Sequence, residues 1–212
     1  KPQIAAEMGY VDEGQELAAE RFMRDYYLHA RTVYHLVELA FKRLNRKPRN
    51  SSRSMYLERG VAAIDGEIVL ADGEDYFAEK PERLLSLFLT AQMKNLELSE
   101  EAQRTVRACL HLIDDSVRRS SEARNTFLKI LKRKYRTALT LRRLHDLGGL
   151  GAYLPEFGGL TCLVQYDIYH IYTVDEHTLV ALENLEALGQ QGGPLAELLA
   201  GFERRDLLFF AV

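Results

Sequence analysis

The residues QELAAERFMRDYYLHARTVYHLVELAFKRL, positions 15–44, decide the fold class. Tyr26, Ala30, Val33, Val37, Ala40, Phe41 and Leu44 recur at intervals that keep one side of a 3.6-residue helix apolar. Phe22, Tyr27 and Tyr34 thicken that stripe, and neither Gly nor Pro interrupts it. The pattern predicts one long amphipathic helix. Beyond it, 46–54 (RKPRNSSRS) is polar and basic and predicts an exposed loop. VAAIDGEIVL, 61–70, is the one strong strand signal: two alternating runs around Asp65-Gly66, a pair suited to a type I′ turn because both central residues need positive φ.

From Pro81 onward the chain again reads as helical. Leu84, Leu85, Phe88 and Ala91 form one stripe; Ser99 is placed to cap a helix carrying Ala102, Val106 and Cys109. A third helix starts near Ser121 and a fourth runs to Leu147, stopped by Gly148-Gly149. The Gly-rich stretch 148–159 predicts turns and a break between architectural units. TVDE, 173–176, has the spacing of a capping box, and the helix it opens carries Ala181, Leu182, Leu185 and Leu188 inward. Pro194 opens a last helical stretch. The expected fold is mainly α: a helical bundle over about 15–147 with one small β-hairpin, followed by a smaller helical unit. A sheet of four or more strands would contradict it.

Composition sets the bounds. With 212 residues, 47% hydrophobic and 28% charged, the chain can bury a sizeable core and is not a disordered tail. No apolar run approaches the ~20 residues of a membrane span. Two cysteines, Cys109 and Cys162, exclude a disulfide framework, and the cytoplasm is the default compartment. The apolar end, Leu207-Leu208-Phe209-Phe210-Ala211-Val212, and Lys1 in place of Met predict a piece of a longer protein. Exposure of that edge predicts dimerisation or packing through 207–212, or a swapped arrangement.

Net charge is −3, unevenly spread. Positions 118–143 hold ten Lys/Arg and one acid, a local +9, which leaves −12 elsewhere. The pattern predicts one exposed positive face, with Lys132, Arg133, Lys134 and Arg136 as candidates to contact phosphate or an acidic partner. A solvated helical face is the simpler alternative. Phosphate-loop, CxxC, HExxH and GxSxG patterns are absent, so no complete catalytic site can be constructed from the chain. The densest cluster of polar chemistry is QYDIYHIYTVDEHT, 165–178. It contains His170, which reads as structural, and His177, which is as compatible with a metal ligand as with a structural role.

AYLPEFGGLTCLVQYDIYHIYTVDEHTL, 152–179, resembles the junction sequence of bacterial [protein-PII] uridylyltransferase/uridylyl-removing enzymes. RFMRDYYLHARTVYHL, 21–36, and LRRLHDLGGLGAYLPEF, 141–157, fit the same family. The resemblance implies a helical domain over 1–148, a junction over 149–172 and the start of an HD phosphohydrolase domain over 173–212. It implies flanking nucleotidyltransferase and HD domains. The parent would transfer UMP from UTP to the PII nitrogen-signalling protein and remove it hydrolytically, with Mg or another divalent metal. On this likeness His177 is the first HD-type metal ligand. The paired nucleotidyltransferase aspartates and the His-Asp pair are missing here, so the piece alone is expected to be inactive and metal-free. No membrane and no nucleic acid are expected as partners. Two other readings stay open: a non-catalytic helical interaction module, and a cap plus the start of a stand-alone HD phosphohydrolase.

Overall fold

A computed structural model of the protein describes residues 1–45, 54–164 and 172–211. His170 with the rest of 165–171, nearly all of the basic loop and Val212 lie outside the described residues. The chain forms two compact units that interleave in sequence: Lys1–Asn50 with Gly159–His177, and Ser51–Gly158 with Thr178–Val212.

The first unit contains α1 (Pro2–Glu7) and the long helix α2 (Ala18–Leu44). The Asp12 carboxylate accepts the Ala18 amide at 2.7 Å and Glu20 accepts that of Leu17 at 3.1 Å, satisfying donors that a helix start leaves open. α2 thus begins three residues later than the apolar pattern alone implies. Ala5, Ala19 and Met23 are buried where α1 covers α2, and Tyr10 packs edge-on against Phe22. Farther along the same stripe Val33, Val37, Phe41 and Leu44 are exposed. The helix is real, but its buried residues, Ala19 and Met23, precede the predicted stripe, whose Tyr26 is itself exposed, and α2 does not belong to the compact unit that holds the helices after 81.

The second unit is built on β1 (Ser54–Glu58), β2 (Val61–Ile64) and β3 (Glu67–Leu70). Asp65 (φ 54°) and Gly66 (φ 87°) both adopt positive φ, as the two-residue turn requires. Val61 faces Leu70 and Ala63 faces Ile68 across the antiparallel pair, and all four are buried. Alternate residues therefore line the core face. Next come α3 (Asp75–Glu79), α4 (Arg83–Lys94) and β4 (Glu97–Leu98), the last pairing parallel with β3 after the helical crossover that parallel strands need. The sheet order is β1-β2-β3-β4. Four strands meet the count set above as contradictory, yet the strands hold 5, 4, 4 and 2 residues, against thirteen α-helices among the described residues. The fold is mainly α.

The remaining helices are α5 (Glu100–Ala108), a 3-10 turn (Leu110–Leu112), α6 (Asp115–Arg119), α7 (Ser121–Lys132), α8 (Thr137–Asp146), α9 (Gly149–Tyr153), α10 (Pro155–Gly159), α11 (Val174–Gln191), α12 (Pro194–Ala200) and α13 (Arg205–Ala211). Ser99, Asp114 and Ser120 cap α5, α6 and α7 through side-chain oxygens. The core joins Ile68, Phe77, Leu84, Leu87, Phe88 and Ile130, with Leu179 of α11 and Phe209 of α13 in the same cluster. The apolar end is thus split. Phe209 is buried, whereas Leu207 and Phe210 are exposed.

The Gly-rich stretch is not the run of turns that its composition predicts. Gly148 alone there has positive φ (86°), and Gly151 and Gly158 sit inside α9 and α10. A Cβ on Gly151 would lie 2.9 Å from Gly158 Cα, and one on Gly158 would lie 3.0 Å from the Gly151 carbonyl oxygen. These glycines let two backbones touch. Gly151→Ala should destabilise the protein by about 1–3 kcal/mol, the usual cost of overpacking. Gly159→Ala, with nothing within 4 Å, should be close to neutral. Chemical denaturation of the two variants checks the contrast.

Candidate functional site

The start of α11 belongs to the first unit and is held by the 159–164 turn and α2. The Val174 amide donates to Leu163 at 2.9 Å, and the His177 amide to Thr173 at 2.8 Å, opening the helix at the place the TVDE pattern indicates. From α2, Arg24 donates to the Gly159 carbonyl at 3.2 Å and Arg31 lies 4.0 Å from the Asp175 carboxylate. Asp175 is buried at 1% exposure, while His177, two positions on, is exposed. The adjacent acid and imidazole therefore point to different environments. Cys162, also buried, has its thiol pKa pushed up by burial first and by Asp175 next, with Arg31 opposing. It is no ready nucleophile.

A transition metal needs several donors converging from separate elements. Among the described residues no three His, Cys, Asp or Glu side chains are grouped to hold one. Asp175 is turned toward Arg31, so the described donors around His177 do not fit a metal by themselves.

Four of the ten basic side chains in the 118–143 segment are drawn into local contacts. Arg118 donates to the Ala152 carbonyl at 2.9 Å and pairs with Asp115; Arg142 pairs with Glu183; Arg143 pairs with Glu97 and donates to the Leu96 carbonyl. Arg136 lies 3.9 Å from Glu97, and its backbone is left-handed at φ 67°. Local acids inside the second unit pull these four side chains down onto its surface. Lys132, Arg133 and Lys134 remain exposed at the turn between α7 and α8. Of the four candidate contacts, then, three present themselves to solvent and Arg136 is half-buried.

Sequence reasoning missed the polar centre of the second unit. Arg136, at the N-cap position of α8, offers no side-chain cap, and Thr137 is fully buried. Glu186 of α11 fills that role: its two carboxylate oxygens accept the Thr137 amide at 3.2 Å and the Ala138 amide at 3.0 Å. The Thr137 hydroxyl donates to the Arg133 carbonyl at 3.0 Å, and Gln92 of α4 donates to the Ile130 carbonyl at 3.3 Å. The signal was available, because Glu186 lies four residues after Leu182 on the inward side of α11, where an acid needs a donor.

A second buried acid, Asp206, opens α13. Arg204 bonds both of its oxygens, at 3.1 and 3.0 Å, and holds its pKa below the ordinary carboxylate range against the opposing effect of burial; Lys132 assists. A carboxylate depressed on folding stabilises above its unfolded pKa of about 4, and that contribution is lost as pH falls through the folded value. Urea unfolding should show Asp206→Asn less stable than the parent at pH 7, with the gap narrowing toward pH 3. A gap that stays constant with pH would show that the ion pair contributes nothing.

Two family models match the chain. One, described as uridylyltransferase GlnD third domain, covers residues 63–153; the other, described as GlnD PII-uridylyltransferase, covers residues 1–41. Curated relatives include the bifunctional uridylyltransferase/uridylyl-removing enzymes of Caulobacter vibrioides, 35% identical over 100% of this chain, and Phenylobacterium zucineum, 35% identical over 95%. That of Azospirillum brasilense is 32% identical over 84% of the chain. The alignments cover 24%, 22% and 20% of these relatives, so the chain spans about a quarter or less of their length.

Proposed function

Because the chain belongs to the family of bifunctional uridylyltransferase/uridylyl-removing enzymes, we propose that it is the helical connector of such an enzyme. The succession of two models from one family along one chain carries this reading. In it, residues 1–148 are the helical domain that follows a nucleotidyltransferase fold. Residues 149–172 are the junction, and residues 173–212 enter an HD phosphohydrolase domain. The whole protein would transfer UMP from UTP to a PII signalling protein and remove it by hydrolysis, in the cytoplasm, where UTP is available. This piece alone would carry no complete active site. Among the described residues, no helix is long and apolar enough to cross a membrane.

In the whole enzyme, Mg or another divalent ion would supply Lewis-acid chemistry at each phosphate centre. The contribution of this chain to the removal site would be His177, on the exposed first turn of α11. Such an imidazole is a competent ligand only when donors from outside this chain complete the set. The exposed pair Leu207 and Phe210 would meet the following HD helices, or in the isolated piece a second copy. Lys132, Arg133 and Lys134 would serve as the docking patch for UTP phosphates or for PII.

The test is UMP transfer to PII and its removal by the full-length parent, with and without glutamine. His177→Ala should abolish removal and spare addition, because the two sites are separate; a folded variant that loses both activities overturns the assignment. Arg136 is a poor probe of the basic patch, since its half-buried side chain and left-handed backbone tie it to the fold. Arg133→Glu with Lys134→Glu is the better pair and should raise the Michaelis constant for UTP or PII. A change of less than twofold would leave these residues as a solvated face, where ion pairs contribute only about 0–1 kcal/mol.

A further inference from the structure

Two arginines beside α8 share one carboxylate. Arg136, at its N-cap, and Arg143 stand about two helical turns apart and so project from one side of the helix. Both guanidinium groups turn to the same atom, Oε1 of Glu97 on β4. Arg143 bonds it and also donates to the Leu96 carbonyl at 3.3 Å. Arg136 stays 3.9 Å away, an ion pair outside hydrogen-bond range. Its Nε is buried with no hydrogen-bond partner, so its charge is held in place and only partly answered. All three residues belong to the second unit. The two arginine side chains are 28% and 22% exposed, whereas that of Glu97 is 55% exposed. The cations are fixed and the anion is loose.

We propose that Arg136 and Arg143 form a binding site for a phosphate group, with Glu97 as a built-in occupant that the ligand displaces. Two cations and one carboxylate leave a unit of positive charge in the trio. A phosphate dianion in place of the carboxylate neutralises it. Guanidinium groups suit phosphate because the planar fork offers paired donors. Displacement costs little, since the freed Glu97 side chain passes into water rather than into the core. The amides at the start of α8 are no rival site, because those of Thr137 and Ala138 are taken by Glu186. Lys132, Arg133 and Lys134, exposed on the turn that leads to Arg136, raise the local concentration of anions without fixing their geometry. The site is independent of the assignment to UMP transfer and removal, because its occupancy is read at these residues and not as turnover.

The experiment titrates the full-length parent with inorganic phosphate at constant ionic strength, so that general screening is held fixed, and follows amide exchange peptide by peptide. Exchange over 133–137 should slow in a saturable way, and the midpoint gives the Kd of this site apart from any other. Glu97→Gln removes the occupant and should tighten that Kd by about threefold or more. Arg143→Lys keeps the charge but loses the fork and should weaken it by about tenfold. The sign in Glu97→Gln separates the readings, since an ion pair that serves only the fold would lose stability and gain no affinity. Exchange elsewhere in the second unit checks that each variant is folded. UMP and UTP, titrated in turn, identify the source of the phosphate: equal midpoints for UMP and phosphate assign the site to a single phosphate group, and a tighter UTP midpoint assigns it to a polyphosphate. Either result upholds the site. No saturable effect of phosphate, acetate acting at the same concentration, or an unchanged or weaker midpoint in Glu97→Gln overturns it.

Discussion

The second unit depends on satisfying the buried N-terminus of α8. The first amides of any helix lack intrahelical acceptors, and water cannot serve at Thr137, which is fully buried. An unpaired buried amide costs about 1–3 kcal/mol. The chain meets this demand with the Glu186 carboxylate, whose charge also sits at the positive end of the α8 dipole. The same two bonds offset the cost of burying the acid. Neither partner is stable there alone, which makes the contact specific in a way that the surrounding leucines are not.

Other parts of the unit organise around that point. The Thr137 hydroxyl ties the start of α8 to the Arg133 carbonyl, and Gln92 reaches the Ile130 carbonyl at the end of α7. The turn between α7 and α8 is therefore closed from inside, and its outer residues, Lys132 to Tyr135, face water. Arg143 and Arg136 extend the arrangement to Glu97 of β4, and Arg142 extends it to Glu183 on α11. Four of the ten basic side chains in the +9 segment are in this way engaged by near neighbours, while Arg119, Arg124, Lys129, Lys132, Arg133 and Lys134 stay exposed.

What the sequence showed and hid divides along physical lines. Element type was legible wherever a period was long: the stripe of α2, the alternation of β2 and β3 and the leucines of α4 all lie where expected. The Asp65-Gly66 turn was legible because two successive positive φ values demand those residues. β4 was not, since two residues carry no period and its pairing with β3 arises from the crossover through α4. The glycines at 151 and 158 were misread because a glycine required for close backbone approach looks the same in sequence as one required for a turn. At the candidate site, the helix carrying His177 was legible from its start signal. The inward turn of Asp175 was not, since it depends on Arg31, far away in the chain.

The contrast between α2 and α11 shows where periodicity stops being informative. On α2 the apolar stripe runs from Tyr26 to Leu44, yet burial stops at Met23, because hydrophobic spacing specifies a face without specifying what meets it. On α11 the inward face is broken by an acid that burial alone would expel. That acid is retained because its two oxygens match two amides from a single helix start. Apolar contacts in this chain determine that elements come together, and the sparse buried polar contacts determine in which register. A change of register is therefore to be sought at Glu186 and Thr137 rather than among Leu179, Leu182 and Phe209, which would repack with smaller loss.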